Sequence, residues 1–222
     1  MIIFDNLISK LAPHLCLNCG YEGLIICVQC LSDFEKMPSC CYKCRRLTAD
    51  ARTCGSCRST SDLKQVRIAT IYDGLAKQVV WRLKFDGAQA AAGAMANLME
   101  PLIIREPDAW LVPVPTAHRR ARGRGYDQAK LLAKALSRRS QLRYIDCLRR
   151  NGQAHQVGSS RRQRLQQMEG AFSVKSHAPP AGKKILLIDD VVTTGATLEA
   201  AAAVLKRAGA AEISALAFAQ PE

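Results

Sequence analysis

The chain's 222 residues, 48% of them hydrophobic, suffice for one ordinary domain plus a small one, and no apolar run reaches the roughly 18 residues of a membrane span. Ten cysteines follow a start, Met1 to Lys10, that lacks the basic, apolar and cleavage features of a secretory leader; this excludes a secreted disulfide framework and predicts cytoplasmic metal or redox chemistry. The formal charge of +13 is concentrated in His118 to Arg164, which holds fourteen Lys and Arg against two acids, Asp127 and Asp146.

Phe4, Leu7, Ile8 and Leu11 recur at helical spacing, so Ile2 to Ala12 is predicted as a short amphipathic helix that packs on the cysteine-rich module after it. Four cysteine pairs make up that module: Cys16-x-x-Cys19, Cys27-x-x-Cys30, Cys41-x-x-Cys44 and Cys54-x-x-Cys57. Each pair aims two sulfurs at one ion from a tight turn, and two pairs complete a tetrahedral Zn²⁺ shell, so two structural zinc ions are expected. Little core-forming sequence lies between the pairs, and residues 1–62 are read as a double zinc ribbon that needs its metal to fold. Gaps of seven, ten and nine residues make sequential pairing simplest, though spacing also permits a cross-braced arrangement. Cys40 is a spare thiol or an alternative ligand, and Cys147 reads as a small apolar residue.

A second domain, residues 63–222, opens with a strand over Val66 to Tyr72 and a helix over Leu75 to Phe85. An Ala/Met-rich helix comes next over Ala88 to Ile104, interrupted by Gly93 and Pro101. Within Trp81-Arg82-Leu83-Lys84-Phe85-Asp86-Gly87, Lys84 precedes a turn and is either a phosphate contact or a solvated helix lysine. Trp110 to Pro115 is a second buried strand whose prolines let it end irregularly. The arginine-rich run His118 to Gln128 is read as a loop at a strand end, with a helix after it to about Ser140. Its Gly123-x-Gly125 completes neither a dinucleotide fingerprint nor a Walker motif. Its guanidinium groups, Arg119 and Arg124 among them, suit a pyrophosphate or a nucleic-acid backbone. Asn151 to Arg162 is polar and rich in Gln and Ser.

Ile185 to Ile188 is a short strand buried on both faces, ending in Asp189 and Asp190 and the turn Thr193-Thr194-Gly195-Ala196-Thr197. Leu198 to Ala208 reads as a helix stopped at Gly209, and Ile213 to Ala219 as one more strand. Such a βαβ unit sets the loop at the carboxyl edge of a parallel sheet, where ligands bind. Gly195 would let the backbone approach a ligand, and first-turn N–H groups with the hydroxyls of Thr193, Thr194 and Thr197 suit a phosphate. The two carboxylates are acceptors only, which suits vicinal hydroxyls or a hydrated Mg²⁺. A phosphate at one end and a diol in the middle describe a ribose 5-phosphate.

Ile185 to Leu198 resembles the PRPP-binding motif of type I phosphoribosyltransferases, PRPP being 5-phosphoribosyl 1-pyrophosphate. Nearly the whole chain resembles the ComF family, also called GntX-like. The resemblance rests on the cysteine knuckles, Val112-Pro113-Val114-Pro115, Arg124-Gly125-Tyr126-Asp127-Gln128, Arg164 with Gly170-Ala171-Phe172 beyond it, and the terminal motif. It implies an α/β fold, a type I phosphoribosyltransferase-like parallel sheet flanked by helices, with a small N-terminal zinc-ribbon domain. It also implies PRPP or a nucleotide bound with Mg²⁺: the ribose on Asp189 and Asp190, the 5-phosphate on Thr193 to Thr197, and the pyrophosphate on Arg119 or Arg124. A hood loop would lie between Arg149 and Arg164, where the bland alternative is a plain surface linker.

By the same resemblance the partners are single-stranded DNA and proteins of the competence machinery, in DNA uptake during natural transformation. The rival readings are an active phosphoribosyltransferase of nucleotide or small-molecule metabolism and a PRPP-sensing regulator. The family loop reads Arg-Gly-Phe-Asn-Gln, so Asp127 adds a charge that would oppose an anion. With 5% aromatic residues, DNA binding is expected to be mainly electrostatic.

Overall fold

The computed structural model describes residues 14–85, 90–103, 108–151, 170–176 and 181–222. The helix predicted over 2–12 lies outside the described residues, as do Asp86, Gly87, Arg164, nearly all of the expected hood stretch and the side chains of residues 118–120.

Among the described residues, four parallel strands form the main sheet, in the order β1 (Val66–Ile71), β6 (Glu212–Gln220), β5 (Lys184–Val191) and β2 (Trp110–Pro113). A strand covered on both faces needs an unbroken apolar run, and β6 is buried from Ile213 to its last residue. β5 pairs with β6 from Lys184 opposite Glu212 to Val191 opposite Ala219, so it continues through Asp189 and Asp190 instead of ending before them. Two-residue alternation sends Leu186 and Ile188 to one face and Ile185 and Leu187 to the other.

The α-helices among the described residues are α1 (Gly55–Arg58), α2 (Gly74–Phe85), α3 (Ala90–Met99), α4 (His118–Arg124), α5 (Gln128–Ser140) and α6 (Ala196–Arg207). α2, α3 and α5 cover the first face with Leu83, Met95 and Leu136. α6 covers the second with Leu198, Ala202 and Leu205, beside a small antiparallel pair, β3 (Leu148–Arg150) with β4 (Phe172–Val174). Cys147 is buried in that second core, as a small apolar residue would be. Gly93 sits inside α3 without breaking it, whereas Pro101 falls in a closing 3-10 turn. No helix among the described residues is long and apolar enough to cross a membrane.

The arginine-rich run is not a loop over its first seven residues. Arg and Ala are strong helix formers, and His118–Arg124 forms α4 until Gly125, at φ 78°, stops it in the left-handed region. Asp127 then opens α5 as its N-cap, accepting from the N–H of Lys130 at 3.3 Å and from that of Thr116 at 2.9 Å. The charge that would oppose an anion is taken up by backbone donors and the helix dipole.

The cysteine segment is built into the sheet's edge. Lys36 bridges Thr70, Arg52 bridges Gln65, and the carbonyl of Glu35 accepts from the N–H of Ile71 at 2.9 Å and the hydroxyl of Thr70 at 2.6 Å. An edge strand that would otherwise offer unpaired backbone groups is thereby covered. The first half sends Ile26 and Phe34 into the first core, where Phe34 meets Phe218 edge-on at 5.9 Å; the second half sends Tyr42 into the other.

Candidate functional site

The carboxyl end of β5 brings together the predicted acids and a partner that the sequence left undecided. α2 leaves the sheet after β1, and its last turn carries Lys84 back to this edge. There its Nζ lies 2.7 Å from Asp190 Oδ2, with both side chains largely buried. Lys84 is therefore not a solvated helix lysine. Asp189 Oδ1 accepts from the N–H of Asp190 at 2.9 Å, and Asp190 Oδ1 from the N–H of Val191 at 2.7 Å. Burial, and then the neighbouring Asp190 charge, push the Asp189 carboxyl well above the usual carboxylate range, even though part of the residue's surface reaches solvent. The edge thus holds one carboxylate matched by a lysine and a second that favours its proton.

The turn beyond the acids runs Thr193 and Thr194, both exposed, to Gly195, which is buried in the left-handed region at φ 76°. α6 starts there with no side-chain cap, and the N–H of Ala196 reaches Thr194 Oγ1 at 3.4 Å. Ala196 and Thr197 occupy its first turn, half-buried. An uncapped N-terminus on a helix of twelve residues presents donors and a positive dipole end to an anion.

Room for a ligand is the reason the sequence offers for Gly195, and the structure gives it another. A Cβ there would overlap the ring of Tyr42, meeting Cδ2 at 2.8 Å. Tyr42 lies inside the third cysteine pair, so the second cysteine module touches the phosphate-type turn directly. The Tyr42 hydroxyl donates to Glu199 in the first turn of α6, and Lys43 Nζ pairs with that carboxylate at 2.8 Å. The N–H of Asp62 adds a contact at 3.2 Å. From the other side, the buried Gln220 at the end of β6 donates to the carbonyls of Tyr42 at 3.2 Å and Thr193 at 3.4 Å, while Arg45 holds its oxygen at 2.8 Å. Sequence patterns single out none of Tyr42, Glu199 and Gln220. Glu199 does sit in the first helical turn, but no local pattern announces a contact to a residue 157 positions away.

The eight paired cysteines form two sets of four, Cys16, Cys19, Cys27 and Cys30, and Cys41, Cys44, Cys54 and Cys57, with the sulfurs of each set within 4.8 Å of one another. Of the two arrangements that spacing allowed, this is the sequential one. Sulfurs of Cys19 and Cys27 lie 3.6 Å apart and those of Cys44 and Cys54 3.5 Å. A tetrahedral ion with Zn–S of about 2.3 Å sets its sulfurs about 3.8 Å apart, so both cages could hold zinc. Outer donors are also in place, since the N–H of Cys27 and the amide of Asn18 each approach a sulfur of the first set at 3.4 Å. Cys40 is buried and belongs to neither set.

Arg124 does not point into open water. Its guanidinium carbon lies 5.0 Å from the ring centre of Phe85, the residue after Lys84, and the Tyr126 hydroxyl donates to the carbonyl of Leu83 at 2.5 Å. The Arg124-Gly125-Tyr126 corner is thus fastened to the last turn of α2.

Residues 124–222 match the phosphoribosyl transferase domain family. Over 209 residues the chain is 30% identical to competence protein F of Haemophilus influenzae, covering 85% of this chain and 87% of that protein. It is 31% identical to competence protein ComFC of Bacillus subtilis, covering 85% and 81%. It is 30% identical to DNA utilization protein YhgH of Escherichia coli (strain K12), covering 90% and 94%.

Proposed function

This chain belongs to the ComF family of competence proteins and carries a phosphoribosyl transferase domain, and from that premise we propose that it binds PRPP or a related ribose 5-phosphate in the service of DNA uptake. One observation carries the reading: at the carboxyl end of β5, an acid pair partly matched by Lys84 stands beside an α6 N-terminus whose N-cap, Gly195, has no side chain to cap it. A sugar phosphate has the complementary sequence of groups. Its vicinal hydroxyls donate to Asp189 and Asp190, and its 5-phosphate accepts from the first-turn N–H groups and the hydroxyls of Thr193, Thr194 and Thr197. Lys84 and Arg124, with Arg119, supply positive charge for the pyrophosphate, and Mg²⁺ bound with PRPP would neutralise the rest.

In the type I reaction pyrophosphate leaves C1 of the ribose as a base nitrogen attacks. The protein's share is mainly electrostatic, holding the phosphate, the diol and the leaving group in place. The relatives' names, which speak of competence and DNA utilization, together with the basic segment, support single-stranded DNA as a partner. Zinc is the ion we assign to the two cysteine cages, residues 1–62 forming its module and 63–222 the phosphoribosyl transferase-like domain. The setting for both is the cytoplasm.

Calorimetric titration with PRPP and Mg²⁺ tests the pocket. Asp189→Asn combined with Asp190→Asn should abolish binding while the chain still unfolds cooperatively, at a lowered melting temperature because Lys84 loses the carboxylate it pairs with. Unchanged affinity in that variant overturns the assignment. A screen for pyrophosphate release over a set of nucleobases then separates the two leading alternatives: release with one base makes the protein an active transferase, and release with none leaves it a binding protein or sensor.

A further inference from the structure

α2 is apolar on two sides. Its inner side buries Val79, Val80 and Leu83 in the first core, but its outer side carries Trp81 and Phe85, four residues apart and therefore on one face, at 54% and 64% exposure. Their ring centres are 6.0 Å apart with the planes at 42°. Arg124 lies over Phe85 from α4, held there by the Tyr126 contact to Leu83, and Arg122 is exposed on the same short helix. Lys84, between the two aromatic residues in sequence, turns instead to Asp190. The aromatic face therefore begins one residue from the sugar-phosphate edge.

We propose that Trp81 and Phe85, bracketed by Arg124, form a base-stacking subsite for single-stranded DNA beside the acid pair. Exposed π-faces interleaved with guanidinium groups match what a strand offers, flat bases joined by phosphates, and both rings and arginines stack on any base. The face is open and not enclosed, which suits bases presented along a strand better than a free base. A chain of +13 charge, with its excess centred on the segment that contains α4, completes the complementarity. The inference deepens the DNA part of the reading above and rests on it, but not on the PRPP pocket. It also revises the expectation of mainly electrostatic binding, because the fold gathers two of the few aromatic residues on one exposed face.

The test compares a single-stranded oligothymidylate of about 15 nucleotides, enough to cover a site of ordinary size, with an abasic strand of equal length. The wild-type chain should bind the base-bearing strand about five- to a hundredfold more tightly, the range for one stacked base. Trp81→Ala with Phe85→Ala should bring both strands to the abasic level, and Trp81→Ala alone should reduce the preference while PRPP affinity stays at its wild-type value. Trp81→Phe should keep the preference but lose the tryptophan quenching that the strand produces. Equal binding of the two strands by wild type, or an undiminished preference in the double Ala variant, overturns the proposal, as does wild type binding neither strand. Quenching of Trp81 by free adenine at concentrations comparable with those of the strand would overturn it too, assigning the face to an acceptor base. Loss of PRPP binding in wild type alone would instead sink the pocket reading and leave this one standing.

Discussion

At position 195 two constraints act on one residue. The backbone is left-handed, where a Cβ costs about 1–2 kcal/mol, and the space a methyl would fill is held by the ring of Tyr42. With about 1–3 kcal/mol more for overpacking, Gly195→Ala should lose roughly 2–5 kcal/mol in urea unfolding. Adding Tyr42→Ala should recover part of that loss at most, since the φ strain remains. Full recovery would show that the glycine is there for Tyr42 alone. Lys84→Met removes the cation that pairs with Asp190 and also draws the Asp189 carboxyl down, so Asp189 should hold its proton more strongly. PRPP affinity should weaken near neutral pH and recover only in part as pH rises, since the charge Lys84 offers the pyrophosphate is gone at every pH, and a pH-independent affinity in the variant would refute the coupling.

Among the elements, the two cysteine cages are alike in chemistry and unlike in what they hold. The first positions Ile26 and Phe34 in the core against β6; the second positions Tyr42 against the turn that starts α6. Cys16→Ser and Cys27→Ser should each lose the same ion by metal analysis, and Cys41→Ser the other one. Removing the first ion should lower global stability, with Phe34→Ala, worth about 3–5 kcal/mol, as the comparison. Removing the second should speed amide exchange over residues 193–198 and weaken PRPP binding before the sheet itself loosens. If amide exchange over 193–198 responds equally to loss of either ion, the distinction between the modules fails.

For the molecule as a whole, two carboxyl groups pull the pH dependence of stability in opposite directions. Asp189 is raised in the folded state by burial and by Asp190, so the native protein keeps this proton to higher pH than the unfolded chain does. Its contribution is unfavourable above the raised value and is relieved as pH falls toward the ordinary 3.8. Asp146 is lowered: burial alone would raise it, but Lys130 and Lys175, each 2.8 Å away, prevail. Its stabilisation is present above 3.8 and is lost as pH falls through the lowered value. Asp189→Asn should therefore exceed wild type in stability near neutral pH, with the gap closing on acidification. Asp146→Asn should fall below wild type, and its own gap should close only in stronger acid. An Asp189→Asn gap that does not change between neutral pH and pH 4 would contradict the first assignment, and an Asp146→Asn gap that already closes over that range would contradict the second.

What the sequence determined by itself was whatever depends on near neighbours along the chain. The apolar runs of β5 and β6 around an Ala-rich helix specify a βαβ unit, the Asp-Asp and Thr-Thr-Gly residues place an acid pair and an anion-type turn at its edge, and each cysteine pair specifies half of a metal cage. These signals hold because strand alternation, helix caps and tight turns are local physics. The same signals misjudged α4 as a loop and ended β5 too early, since a run of arginines reads as polar surface and the hydrogen-bond ladder, not hydropathy, carries a strand through two acids. Only the tertiary structure decided which cysteine pairs combine, that Lys84 meets Asp190, that Tyr42 fills the place of a Gly195 side chain, and that Trp81 and Phe85 face outward together. Each of those depends on packing between elements far apart in the chain, where shape and burial select the partner and no spacing in the sequence records it.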